Sequence, residues 1–407
     1  MVNFKESGQE YLLSVRSLIA LLWVCNMIQL SLRYSWGVAL PQASFELSLS
    51  RFQAGVVASF FYIGYVITGI PSGFLVDRYG TKPVTLASLF LLGLLSFWIG
   101  FSRNFFELLL AFLLSGVVAG PIFPSSMKTA AEKLSASSRA TGVGALESVS
   151  PFAMVAAATL FPFALYALNW RFIYYGLGAF SFSVFVVYSV FAPNTKPNKR
   201  AKSALSLTLT NRRLILAVTL RLGGMWGVIA LSAWFYTICF RIVGIKEAQI
   251  LYILLACFAI LGQVVGGYFS DKQKRRGLIE TFGMLAFGAS SLALWLSKNS
   301  QELLILAPFL GFFAFFWKSG LDTHILELVE PSQRGSAVGF MNTVSQIGSL
   351  LSPAAIGYTL DRFGADTFYP FLTFAIGPLL SSALMLMRFP VDTQPADKIQ
   401  HRPSCAP

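Results

Sequence analysis

The chain has 407 residues, 55% of them hydrophobic and only 12% charged. Soluble globular proteins carry about 25% charged residues, so this composition excludes an ordinary water-soluble domain and points to lipid. The formal charge of +13 would suggest nucleic acid in a soluble protein, but here the basic residues cluster between apolar runs, where they face a membrane surface instead.

The N-terminal stretch, Met1 to Tyr11, is polar and shows no cleavage-site pattern. The first apolar run is too long for a signal peptide and is expected to be retained. A helix needs about 20 mainly apolar residues to cross a bilayer. Twelve such stretches follow in order: 14–40, 52–76, 83–102, 105–128, 141–165, 170–192, 214–240, 248–270, 278–297, 302–329, 336–360 and 367–389. Gly and Pro inside them do not argue against helix, because membrane helices tolerate both. The cysteines Cys25, Cys239, Cys257 and Cys405 show no metal spacing and read as small apolar residues.

Lys and Arg set the orientation. With the N-terminus inside, the inner connections hold most of the 31 basic residues. The outer ones hold only Arg51, Arg103, Arg171, Arg241, Lys246, Lys298 and Arg362. This positive-inside bias predicts cytoplasmic N- and C-termini in a multi-pass plasma (inner) membrane protein.

The longest connection, Pro193 to Arg213, carries Lys196, Lys199, Arg200 and Lys202 and reads as a linker. It divides the chain into a six-helix bundle over 1–192, a basic cytoplasmic linker over 193–213, a second bundle over 214–389 and a tail over 390–407. The two bundles repeat. "GFLVDRYGTK" from Gly73 matches "GYFSDKQKRRG" from Gly267, and "SRATGVGALESVS" from Ser138 matches "QRGSAVGFMNTVS" from Gln333. Both pairs are offset by about 195 residues, which predicts a duplicated unit with a substrate site between its halves near the midplane. The fold class is therefore all-α membrane protein, with twelve transmembrane helices in two pseudo-symmetric halves.

Gly73, Asp77, Arg78, Tyr79, Gly80 and Lys82, placed between spans two and three, resemble the best-known motif of the major facilitator superfamily. The second copy keeps Gly267, Asp271 and Lys272. The resemblance implies the major facilitator fold and a rocker-switch transporter. It implies that Gly73 lets two helices approach closely. It also implies that Asp77 pairs with Arg139 and Asp271 with Arg334 in clusters that hold the inner gate closed. "RYSWGVALP" from Arg33 is similar to a span-one pattern of monocarboxylate and oxalate/formate porters, and "GPIFPSS" from Gly120 resembles the anion–cation symporter branch. Where that branch carries acids, Leu32 and Ala119 stand here. The span-five signature of drug antiporters is absent from Gly142 to Met154.

A charge inside a span costs several kcal/mol and marks a functional position. Arg33, Arg221 and Lys318 lie in spans one, seven and ten, which line the central cavity in this superfamily. Asn26, Gln29 and Arg33 share one helical face. Lys318 and Asp322 are one turn apart and can neutralise each other until an anion arrives. Arg33, Lys318, Arg221, Gln29, Asn26 and Tyr34 are the candidate substrate ligands, and Asp322 and Glu147 the candidate proton carriers. His324 reads as a lone polar cavity residue. Trp36, Tyr62, Tyr65, Trp226, Trp234 and Trp317 can shape a pocket or pack.

The sequence holds no phosphate loop, metal cluster or nucleophile–base pair, so no cofactor, no metal and no enzymatic activity are expected. The reading is a secondary transporter of a small organic anion, a mono- or dicarboxylate, working as a monomer in the bilayer, with proton symport as an addition and no nucleic-acid partner. An exporter of drugs or amphipaths on the same fold is the alternative. A transporter-like sensor is disfavoured by the short tail.

Overall fold

The computed structural model describes residues 14–134, 145–146, 148–193, 195, 211–273, 276–329 and 334–388. Among these residues the structure is helical throughout. The helices are α1 (Val15–Glu46), α2 (Arg51–Tyr79), α3 (Thr81–Phe101), α4 (Phe105–Ala119), α5 (Ile122–Lys133), α6 (Val149–Ala167) and α7 (Trp170–Phe191). The second series is α8 (Arg212–Val243), α9 (Ile245–Gln273), α10 (Arg276–Ala293), α11 (Ser300–Phe316), α12 (Lys318–Glu327), α13 (Arg334–Phe363) and α14 (Phe368–Arg388).

Ten helical segments are long and apolar enough to cross a membrane. Two of the expected spans fall short of that description. Gly277–Ala293 is apolar but short. The segment α13 has 30 residues, but Asn342, Thr343, Gln346 and several serines lower its hydropathy. Those residues are tolerated because they are buried or half-buried in a helix that packs on α2 and α8. Elsewhere Phe106, Phe163, Leu160 and Val190 stand exposed, as lipid requires.

Spans four and ten are each two helices rather than one. Gly120 and Pro121 separate α4 from α5, and Trp317 separates α11 from α12. The four stretches joined in this way still cross as continuous apolar units.

The packing repeats with the sequence. In the first series α2 packs on α4, α3 on α7 and α1 on α6; in the second α9 packs on α11, α10 on α14 and α8 on α13. Glycine makes the first of these crossings possible. A Cβ on Gly116 would lie 1.9 Å from the Phe61 carbonyl oxygen, and one on Gly64 would lie 2.0 Å from that of Leu113. At the repeat position of Gly116, a Cβ on Gly311 would lie 2.0 Å from the Leu255 oxygen. Close backbone approach of this kind is how helices gain contact in lipid, where apolar burial alone gives no preference.

The series meet along a seam where α2 lies against α13, α6 against α9 and α1 against α8. We call the side where α1 begins the near face and the other the far face. The seam is tight toward the far face. A Cβ on Gly37 would sit 2.1 Å from the Ser232 oxygen, and one on Gly55 2.2 Å from that of Pro353. On the near side, α5 and α12 form no comparable packing among the described residues. Above the Gly37 constriction, a cleft of about 660 Å³ opens on the far face, lined in part by Pro41, Thr237, Arg241 and Phe371.

One expectation from the near-face motif needs correction. Gly73 was expected to sit at a close helix approach, but a Cβ there would meet nothing within 4 Å. The close approaches of α2 lie earlier, at Gly55 and Gly64. Gly80 has φ 88° where α2 ends and α3 begins, a backbone state that favours glycine.

Gly116→Val and Gly73→Val separate these roles. A side chain at 116 must push two backbones apart, and overpacking costs at least roughly 1–3 kcal/mol. Gly116→Val is expected to lose monodispersity and melting temperature in detergent size-exclusion and thermal-shift assays, while Gly73→Val stays close to the parent.

Candidate substrate site between the two helical series

On α1, Asn26, Gln29 and Arg33 form a hydrogen-bonded chain. Arg33 Nη2 donates to Gln29 Oε1 at 3.4 Å, Gln29 Nε2 to Asn26 Oδ1 at 3.3 Å, and Asn26 Nδ2 to Ser126 Oγ at 2.8 Å. Ser126 belongs to α5, just after the break in span four. The polar stripe read from helical spacing is thus one connected unit that reaches across to the broken helix. Asn26 and Gln29 are buried, so their polar atoms need these partners.

Arg33 sits in an aromatic box built by α2. Its guanidinium carbon lies 4.4 Å from the Tyr65 ring centre and 5.4 Å from those of Phe61 and Tyr62. Stacking over ring faces stabilises the cation by about 0.5–2 kcal/mol, yet leaves its hydrogen-bonding capacity unspent. Arg33 Nε is buried without an acceptor, and among the described residues no carboxylate pairs with this side chain. Arg33 also lines a small void under the Gly37 constriction, together with Ile229 and Ser232 of α8. It therefore faces the seam rather than acyl chains. Tyr34, expected beside it, turns the other way: its hydroxyl is 2.8 Å from Ser150 Oγ and braces α1 against α6.

The second series holds a three-charge cluster. Arg221 Nε donates to Asp322 Oδ1 at 2.6 Å, and Lys318 Nζ lies 3.4 Å from Asp322 Oδ2. The remaining arm of Arg221, Nη1, donates to Ser345 on α13. Ser345 occupies the repeat position of Ser150. Arg221 and Lys318 are nearly inaccessible at 4% and 8% exposure, and Asp322 is 19% exposed, so the carboxylate is the most accessible of the three. The break at Trp317 places Lys318 at the start of α12. Gly224, one turn beyond Arg221, makes room for the Trp317 ring, which a Cβ there would meet at 2.3 Å. Helical spacing joined Lys318 to Asp322; the closer partner, Arg221, comes from a helix about a hundred residues away in sequence.

Two acids differ from expectation. Glu280, near the start of α10, escaped the sequence reading but is fully buried. Its Oε2 lies 3.4 Å from His324 Nδ1 and its Oε1 has no hydrogen-bond partner. His324 is therefore not lone. Asp77 is bonded to Lys128, with Nζ 2.7 Å from Oδ1, a partner that the sequence did not give. Lys128 is on α5, so this bond stays within the first series. Arg78 stacks over Tyr79 at 5.4 Å, and Lys82 stands on the first turn of α3. Arg139 and Glu147 lie outside the described residues. Asp271 ends α9 and Arg334 begins α13; the Arg334 side chain lies outside the described set.

Asp322→Asn removes the carboxylate on which Arg221 and Lys318 converge, whereas Lys318→Met leaves the Arg221–Asp322 bond in place. Breaking a buried ion pair costs on the order of 3–5 kcal/mol. Thermal unfolding in detergent should therefore show a larger loss for Asp322→Asn than for Lys318→Met; equal losses would mean that Asp322 does not anchor the cluster.

Known proteins agree with this architecture. The family model described as Major Facilitator Superfamily matches residues 22–279 and 243–404. The chain is 24% identical over 404 residues to the probable galactarate/D-glucarate transporter GarP of Escherichia coli K12, covering 85% of this chain and 88% of the relative. It is 23% identical over 336 residues to the cis,cis-muconate transport protein of Acinetobacter baylyi, covering 77% and 80%. In fold it is similar to the crystal structure of a bacterial homolog of the human lysosomal transporter Spinster, in an inward-facing and occupied conformation. The TM-score is 0.74 at 17% identity, over 91% of this chain and 94% of that one. The chain belongs to the Major Facilitator Superfamily and is a multi-pass membrane transporter, not an enzyme.

Proposed function

We propose that the protein carries a small organic anion, a mono- or dicarboxylate, across the membrane by alternating access. The observation that carries this reading is unbalanced positive charge at the seam. Arg33 has no carboxylate among the described residues, and its Nε is buried without an acceptor. Each buried charge without a counter-ion is costly, and an arriving carboxylate removes that cost while gaining charge-assisted hydrogen bonds. Relatives named for galactarate, D-glucarate and cis,cis-muconate support an organic acid as cargo.

Cations on both series favour a dicarboxylate over a monocarboxylate. Arg33 borders Ile229 across the void, and Arg221 is eight residues from Ile229 on the same helix, roughly 12 Å along its axis. An anion with two charged ends can engage Arg33 with one and the Arg221–Lys318 pair with the other. Asn26 and Gln29 support Arg33 from behind. A neutral or cationic amphipath would leave Arg33 unmatched, which argues against the exporter alternative.

In this reading the near face is cytoplasmic, as the distribution of Lys and Arg favours. The division at the 193–213 linker gives two rigid halves that rock about the seam. The inner gate is built around Gly73, Asp77, Arg78, Gly80 and Lys82, with Arg139, and around Asp271 with Arg334. Asp322 and Glu147 are the positions at which a coupled proton would be carried, and the protein acts as a monomer.

Uptake of radiolabelled six-carbon diacids into proteoliposomes tests the reading. Arg33→Ala and Lys318→Ala should each lose more than about tenfold in uptake, the size expected for removing one charge-assisted contact of 1.5–3 kcal/mol. Normal uptake by both variants would falsify the anion site. The half-amide of the same diacid should be carried poorly; equal transport of diacid and half-amide would leave the anion site standing but remove the preference for two charges. An imposed inward proton gradient should accelerate uptake if protons are coupled, and Asp322→Asn or Glu147→Gln should abolish that acceleration.

A further inference from the structure

The seam helices α2 and α13 run antiparallel, and each ends in the same four-residue pattern. On α2 it is Asp77-Arg78-Tyr79-Gly80; on α13 it is Asp361-Arg362-Phe363-Gly364. The terminal glycines have matching left-handed backbones, with φ 88° at Gly80 and 85° at Gly364. The second pattern is not a copy of the first under the chain's duplication, which relates α2 to α9. It is related by the antiparallel packing of the two seam helices, so the two patterns stand on opposite faces of the protein.

At the far face the pattern is engaged across the seam. Asp361 Oδ1 accepts from the Arg51 backbone N–H at 3.1 Å, and Oδ2 from that of Phe52 at 2.7 Å. These are the first two N–H groups of α2, which have no partner inside the helix, and a carboxylate there also meets the positive end of the helix dipole. Arg51 answers in the other direction, with Nη1 donating to the Leu360 carbonyl at 2.8 Å. Glycine keeps the backbones close: a Cβ on Gly357 would lie 2.3 Å from the Arg51 oxygen. At the near face the equivalent carboxylate, Asp77, is bonded to Lys128 in its own series. Among the described residues, one end of the α2–α13 pair is thus fastened across the seam by a carboxylate, and at the other the equivalent carboxylate is not so engaged.

We propose that Asp361 is the far-face latch of the transport cycle: it holds α2 and α13 together while that face is shut and must release the α2 N-terminus before it opens.

The test reads distances at the far face. Spin labels at Leu168→Cys and Leu296→Cys, both exposed at far-face helix ends of the two series, report the gap in a cysteine-free background by pulsed electron resonance. The parent should give one dominant short distance. Asp361→Ala should raise the long-distance population by roughly tenfold, the effect of losing one or two hydrogen bonds to a charged group. Arg51→Pro is a second variant that leaves Asp361 in place. It deletes one donor and the arginine fork, and proline suits the first helical position, while Ser50 with ψ 161° already has the extended backbone that precedes proline. It should shift the distribution in the same direction. Asp366→Ala, which breaks the exposed Arg241–Asp366 pair, should leave it unchanged. Parent-like distances in both Asp361→Ala and Arg51→Pro, or an equal shift in Asp366→Ala, would overturn the proposal; should Asp361→Ala fail to fold, Arg51→Pro alone decides.

Discussion

A charge inside a low-dielectric slab has to be answered by another charge, by a polar shell or by cargo. That constraint orders the middle of this protein. Arg221 and Lys318 are tolerated because they converge on Asp322. Arg33 is tolerated by a different device, three aromatic faces from α2 and a chain of amides on its own helix. The first arrangement is nearly closed in upon itself, and the second keeps an unused donor. The two solutions lie on opposite sides of the seam, so whatever satisfies Arg33 must come from the space the halves share.

Backbone geometry serves the same end. Breaking span ten at Trp317 sets Lys318 at the head of a new helix, and Gly224 opens the space for the indole. Breaking span four at Gly120 and Pro121 brings Ser126 to Asn26. In each half a broken helix therefore delivers a polar side chain to the helix it faces. The short helices after the breaks, α5 and α12, also carry charged and titratable residues toward the near face: Lys128 on one, Asp322 and His324 on the other.

Much of this was legible in the sequence, and the exceptions have physical causes. Hydropathy located the spans because lipid imposes length and apolarity on each helix. It located α13 least securely, since a helix sheltered by α2 and α8 has no need to be apolar. Helical spacing joined Asn26, Gln29 and Arg33, and Lys318 with Asp322, because these are local relations along one helix. It did not join Arg221 to Asp322, or Glu280 to His324, because those contacts depend on how separate helices are rotated. Glu280 was further disguised by the basic run at 272–276, beside which an acid reads as an interfacial counter-ion. The motif at Gly73 led to a close helix approach that the structure places instead at Gly55, Gly64 and Gly116. The far-face pattern at Asp361 was hidden in plain view: comparison along the duplicated chain looks for parallel copies, and this one is antiparallel.

The crossings at Gly116 and Gly311 have a mechanical consequence. Where two main chains rest on each other with no side chain between them, the joint cannot shear without losing contact along its whole length. Each bundle then behaves as a stiff lever. In the proposed cycle, force applied by an anion at Arg33 would not be dissipated in bending α2 against α4; it would appear at the distant ends of α2, where a few backbone hydrogen bonds would decide which door stands open. Stiffness within the lobes is what lets fastenings so small govern a movement so large.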